Sequence, residues 1–198
     1  MRYIWTNAGD DPDVNQGNAF GIDGYFMPAF DSITTKEYLR DEIAAKGKQP
    51  GFYIGAGWLN GLTPAQYAAA ASAEYARLTV PGLKVQFNLE EHTPERIASI
   101  FEEWRKLRPS VGTSWSLEGF QGGWMDSSFV ARVVASKIRV VPECFVDEPS
   151  MNTSAADMVL RDLVARGFPI SLVTCMYDAA NLPKRWDGFA FIFGRLPL

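Results

Sequence analysis

The chain of 198 residues sets 19 basic against 23 acidic side chains, for a formal net charge of −4, and has no block of lysines and arginines, which excludes the basic face of a nucleic-acid binder. At 47% hydrophobic and 21% charged it has the make-up of an ordinary globular protein, long enough to bury a core without staples. Its two cysteines, Cys144 and Cys175, are too few for a disulfide framework and lack metal-ligand spacing, so they read as small buried thiols of a reducing compartment.

The opening Met1-Arg2-Tyr3-Ile4-Trp5 lacks the apolar core of a signal peptide, and no stretch reaches the ~18 apolar residues of a membrane span. The expectation is a protein made in the cytoplasm, with no membrane insertion. Arg2–Thr6 reads as a first strand and Gly21–Met27 as a second, joined by a connection too irregular for a full helix. Thr34 or Thr35 opens a helix to Lys46, with Gly47 as its C′ residue. Gly51–Trp58 is a third strand. Thr63 as N-cap and Pro64 in the first turn open an alanine-rich helix to Leu78. After a fourth strand, Leu83–Leu89, Thr93-Pro94-Glu95 repeats that device ahead of a helix over Ile97–Leu107. Strands at Gly112–Leu117 and Ile138–Phe145 flank a helix at Asp126–Ala135. A helix at Ser154–Arg166, closed by Gly167, leads to a seventh strand at Pro169–Cys175. Gly188–Phe193 is the eighth, again after a short connection.

Strands alternating with helices imply a parallel sheet covered on both faces. Eight such units predict a small (β/α)8 TIM-type barrel over residues 1–198 as a single domain. The typical barrel has about 250 residues, so some helices should be short or missing. An open doubly wound sheet is the structural rival, although no GxGxxG follows the first strand to make it a dinucleotide binder.

In a parallel barrel the C-terminal strand ends converge on one mouth. Along Lys84–Glu90, alternation places Val85, Phe87 and Leu89 toward the helices and Gln86, Asn88 and Glu90 inside. The fifth strand likewise sets Ser114, Ser116 and Glu118 on one face, and the sixth sets Arg139, Val141 and Glu143. Glu90, Glu118 and Glu143 are therefore expected around one opening. Asp23 on the second strand, Asp147 and Glu148 after the sixth and Asp178 after the seventh are candidates to join them. The competing account is that Arg139, Lys84 or ordered waters simply neutralise these carboxylates. Two carboxyl groups flanking a glycosidic bond are the usual apparatus of sugar hydrolysis, one protonated as acid and the other nucleophile or base.

Rings beside glycines at the rim suit sugar stacking: Trp58, Phe120, Trp124 and Tyr177. Trp115, by its parity, belongs to the core. His92 is the single histidine and reads as a surface or capping residue. Its solitude excludes multi-histidine metal centres, and no GxSxG elbow accompanies it. Asp10-Asp11-Pro12-Asp13 is a solvated turn rather than a calcium loop. No cofactor and no metal is called for.

Gly21-Ile22-Asp23, the central Gly51-Phe52-Tyr53 and the fourth-strand Asn88-Leu89-Glu90 together resemble motifs of the compact glycoside-hydrolase barrels, especially the lysozyme family with a flattened barrel. That family carries Asp-x-Glu where this chain has Asn88-Leu89-Glu90, so an amide replaces the aspartate and the glutamate is retained. The style is also similar to barrel proteins of bacteriophage tails. The resemblance implies a partner in bacterial envelope glycan, peptidoglycan or another polysaccharide, and a virion setting among other tail proteins. On the enzyme reading Glu90 is acid/base with Glu118 or Glu143 as its partner, and Asp23, Trp58, Asn88, Trp124 and Tyr177 contact substrate. The alternatives are a non-catalytic structural or binding module of a tail assembly, and a metal-assisted phosphoester hydrolase.

Overall fold

The computed structural model describes residues 3–5, 23–29, 33–55, 60–89, 92–117, 126–144, 161–169, 175–178 and 191–194. Their strands are β1 (Tyr3–Trp5), β2 (Gly24–Pro28), β3 (Gln49–Gly55), β4 (Lys84–Asn88), β5 (Thr113–Leu117), β6 (Arg139–Cys144), β7 (Cys175–Asp178) and β8 (Phe191–Gly194). Helices α1 (Ile33–Ala45), α2 (Pro64–Leu78), α3 (Pro94–Leu107) and α4 (Ser127–Ala135) alternate with them. Residues 161–165 are also helical. The ends follow the local chemistry. Thr63 and Gln66 close a capping box at the start of α2, Thr93 accepts from the Arg96 amide at the start of α3, and Asp126 accepts from Phe129 at the start of α4. Gly47 follows α1 at φ +71°, and Gly167 follows the 161–165 turn at φ +98°, both left-handed positions.

All eight strands join one sheet in sequence order, and each neighbouring pair from β1 to β7 is parallel. β8 turns back, pairing antiparallel with β7, and it lies beside β1. The strands thus go full circle, a TIM-type barrel whose last staff is reversed. Of the predicted seventh strand, residues 170–174 lie outside the described residues, and β7 is described from Cys175 to Asp178. Its ladders involve Cys175–Asp178, where Cys144 faces Tyr177 on one side and Phe191 faces Asp178 on the other. Tertiary pairing, not composition, sets that register. It also offsets Cys144 and Cys175 by two residues on adjacent strands, roughly 8 Å between their Cα atoms and beyond the ordinary disulfide span.

Two apolar layers sandwich the strands. Outside, Phe52, Ile54, Val85, Phe87, Trp115 and Val140 meet the buried faces of the helices in one continuous cluster. Phe87 packs on Phe101 and edge-on to Trp104, while Trp115 sits edge-on between Phe101 and Phe129. Trp115 is core, as its parity requires. The Trp104 indole donates to Thr113 Oγ1 at 3.0 Å, so even this buried nitrogen is satisfied. Inside the barrel, Tyr3, Phe26, Tyr53 and Val141 form a second, smaller cluster. Glycines make room for it. A Cβ on Gly51 would lie 2.7 Å from the Phe26 ring, and one on Gly24 would overlap the Tyr3 ring and the Gln49 carbonyl.

Arginines tie the helices to one another. Arg77 of α2 grips both carboxylate oxygens of Glu74 and reaches Glu37 of α1 at 2.6 Å. Arg132 of α4 does the same for Glu102 of α3 and adds Glu95. Arg105 instead donates to the carbonyls of Arg108, Val111, Ser136 and Lys137, tying the exit of α3 to that of α4.

Candidate functional site at the strand ends

Parallel register places Gly55, Asn88, Ser116 and Val141 level with one another on β3 to β6. They share the inner face with Tyr53, Gln86, Ser114 and Arg139 one step below. Val141 belongs to the inner apolar cluster. The floor of the mouth is thus apolar on the β6 side and polar on the β4–β5 side. Gln86 is fully buried, and the Ser116 hydroxyl donates to the Phe87 carbonyl at 3.3 Å. Asn88 Oδ1 is buried, and no donor among the described residues reaches it.

The bases suspected of neutralising the carboxylates stand at the wrong end. Lys84 opens β4 and Arg139 opens β6, whereas Glu90 follows the far end of β4 and Glu143 lies near the far end of β6. At about 3.3 Å per residue, four residues of β6 separate Arg139 from Glu143 by roughly 13 Å. Lys84 leans instead on Gly112 at the barrel's lower end.

Asp23 is at that lower end too, and this corrects its expected place at the mouth. It precedes β2, is exposed, and its carbonyl accepts from the Gln49 amide at the start of β3. The strand opens at Gly24, so Asp23 stands at the entry to the sheet and not at its exit. Its charge acts on Tyr3: burial first, then Asp23, raise that phenol's pKa, with Arg139 opposing.

Of the other candidates, Glu143 lies in β6 level with Met176, and Tyr177 and Asp178 lie within β7 rather than after it. Glu90, Glu118, Trp58, Phe120, Trp124, Asp147 and Glu148 fall outside the described residues. Among the described residues no group of three or more His, Cys, Asp or Glu side chains could hold a metal ion, and no helix is long and apolar enough to cross a membrane.

His92 is half-buried rather than on the surface. Its ring meets Tyr67 edge-on at 6.1 Å, and its amide donates to the Leu89 carbonyl at 3.2 Å. Sequence reasoning missed Tyr67. It is fully buried in α2, stacks obliquely on Phe87, and donates to the carbonyl of Gly55, the last residue of β3, at 3.4 Å. Burial holds its phenol well above the ordinary range, slightly opposed by Arg96. Arg96 donates to the Leu62 carbonyl at 2.6 Å, tying the approach to α2 to the first turn of α3. The available signal was the lone ring in the first turns of an alanine-rich helix, next to no other large side chain that could anchor it.

Neither a protein-family model nor a curated protein matches the chain. Among solved structures it is similar to active domain 2 of a thermostable chitinase from Pyrococcus furiosus, determined as catalytic-site mutants complexed with chito-oligosaccharides. The TM-score is 0.61 at 13% identity, over 87% of this chain and 70% of that one. The fold is that of a glycoside-hydrolase-like α/β barrel.

Proposed function

We propose that this barrel engages a bacterial cell-envelope glycan, peptidoglycan or another polysaccharide, across the mouth at the C-terminal strand ends. The strand register carries this reading. Gly55, Asn88, Ser116 and Val141 form a level inward row, and inward positions recur every second residue. One inward step beyond that row, the sequence has Glu90, Glu118 and Glu143 on three successive strands' paths. Strands lie about 4.8 Å apart, so such a row offers carboxyl pairs at about 5 and about 10 Å. Those spacings bracket the separations at which two carboxyl groups act on a glycosidic bond. Glu90 serves as proton donor, and Glu118 or Glu143 as nucleophile or base. Crowding raises the pKa of one member of such a set and divides the labour. Trp58, Trp124 and Tyr177 provide ring faces for the sugar, and Asn88 contacts it from below. Asp23 has no part. Likeness in fold to a domain solved with chito-oligosaccharides supports a glycan ligand. The particular glycan and the virion setting rest on the sequence resemblance alone.

Glu90→Gln is expected to lower release of reducing ends from peptidoglycan by roughly 10²–10⁴-fold. Undiminished release from the variant refutes the catalytic assignment. Asn88 favours a second reading, a glycan-binding module without turnover, such as a tail component. An amide stands where the resembling family has its aspartate, and an amide is neither base nor nucleophile. Quenching of tryptophan fluorescence by cell-wall fragments, with no reducing ends released by the unmodified protein, selects this second reading.

A further inference from the structure

We infer that the end of the barrel opposite the mouth holds a binding site for an oxyanion of the phosphate class, formed by Lys84 of β4, Ser114 of β5 and Arg139 of β6. Register brings the three together. Ser114 is level with Arg139 on one side and with Gln86 on the other, two residues beyond Lys84. Lys84 and Arg139 are the first residues of their strands, and Arg139 shares the inner face with Val141. β4 and β6 stand two strand spacings apart, about 10 Å, with β5 between them. Lys84 closes part of that gap. A Cβ on Gly112, just before β5, would lie 3.0 Å from the lysine Nζ and 3.1 Å from its Cδ. The glycine thus leaves room for the ammonium to lie against the entry of β5, with the guanidinium arising from the strand on its other side.

The charge pattern points to what fits there. Other described cations are answered: Arg77, Lys106, Arg132 and Arg166 pair with carboxylates, while Arg96, Arg105 and Arg108 donate to carbonyls. Among the described residues no carboxylate pairs with Lys84 or Arg139, and no hydrogen bond holds the Ser114 hydroxyl. Lys137, which leads into β6, adds a third positive charge at this end. It keeps a left-handed backbone at φ +51°, a conformation that Gly47 and Gly167 adopt without strain after their own helices. Asp23 stands at the same end, but on β2, outside the interval from β4 to β6. Two cations flanking one strand repel each other, and an anion shared between them reverses the sign of that interaction. A guanidinium fork grips two oxygens of such an ion, the ammonium adds a point charge, and the hydroxyl donates a further hydrogen bond. Two positive charges match a dianion better than a single carboxylate.

The test is a titration of the full ¹⁵N-labelled chain with inorganic phosphate and, in parallel, methyl phosphate, at an ionic strength held constant with chloride. Saturable shifts of the Gly112 and Ser114 amides are expected with either ligand. Equal responses assign the site to the free ion, and a stronger response to the ester assigns it to a phosphate carried on a larger molecule. Lys84→Gln and Arg139→Gln should each weaken the response roughly tenfold or more, whereas Lys106→Gln, an exposed lysine of α3, should leave it unchanged. Amides that do not move, or shifts that survive both substitutions, overturn the site. Acetate at the same ionic strength should leave these amides in place, and an equal response to acetate overturns the assignment to phosphate. Lys84 and Arg139 are only partly buried or exposed, and should either variant not fold, the amide map of the unmodified chain decides.

Discussion

Gly24 and Gly47 show how differently two glycines can matter. Gly24 lies in β2 with a fully occupied surrounding, the Tyr3 ring on one side and the Gln49 carbonyl on the other. The carbonyl belongs to the neighbouring ladder and cannot retreat without breaking it. Gly47 has nothing within reach of a Cβ and needs only its left-handed backbone, φ +71°. Gly24→Ala is accordingly expected to cost about 1–3 kcal/mol through overpacking, and Gly47→Ala about 1 kcal/mol through strain. Urea unfolding at unchanged m-value measures both, and equal costs would contradict the packing account. The same scale shows what single residues reveal from sequence. The parity of Trp115, Val85 and Phe87 was legible, because alternation alone decides which face a strand residue takes. Asp23 was not, because its place at the entry to the sheet follows from pairing, its carbonyl accepting from the Gln49 amide at the start of β3, and not from any local pattern.

At the scale of elements, the helix starts were written plainly. Thr63-Pro64 and Thr93-Pro94 each supply an oxygen for the orphan amides and a proline where no amide is needed. Pairing partners were not, since nothing local states that β7 should begin at Cys175 or that Tyr67 should reach Gly55. Two carboxylates in these elements make folding pH-dependent. The Arg132 guanidinium holds Glu102 below its ordinary 4.5, and the Phe129 amide followed by Ser128 hold Asp126 below its ordinary 3.8. A carboxyl whose folded pKa is depressed stabilises the fold above its unfolded value, and that contribution fades as the pH falls through the folded one. Melting temperature should thus decline on acidification below about pH 4.5. Glu102→Gln and Asp126→Asn should flatten the decline, and the asparagine retains its capping oxygen. A slope identical to that of the unmodified protein would exclude these two groups as its source.

For the whole molecule, closure depends on its shortest commitments. β1 has three residues and β8 four, yet β8 covers the exposed side of β7 and lies beside β1. Removing residues 191–198 would bare the edges of both neighbours, and unpaired edges recruit other chains. The truncated protein is expected to elute as aggregate in size-exclusion chromatography, whereas a monomer with native circular dichroism would show that the ring does not need its reversed strand. The sequence announced eight strands by their spacing, since buried strands are short apolar runs between turns. The reversal of β8 was hidden, because direction is fixed by the connection preceding it and by what its backbone meets, neither of which leaves a local pattern.

Tyr3, Phe26, Tyr53 and Val141 pack on one another inside the ring. They come from β1, β2, β3 and β6, so trimming any one of them leaves space beside the other three. A loss at one strand is thereby felt by strands that lie up to 138 residues away along the chain.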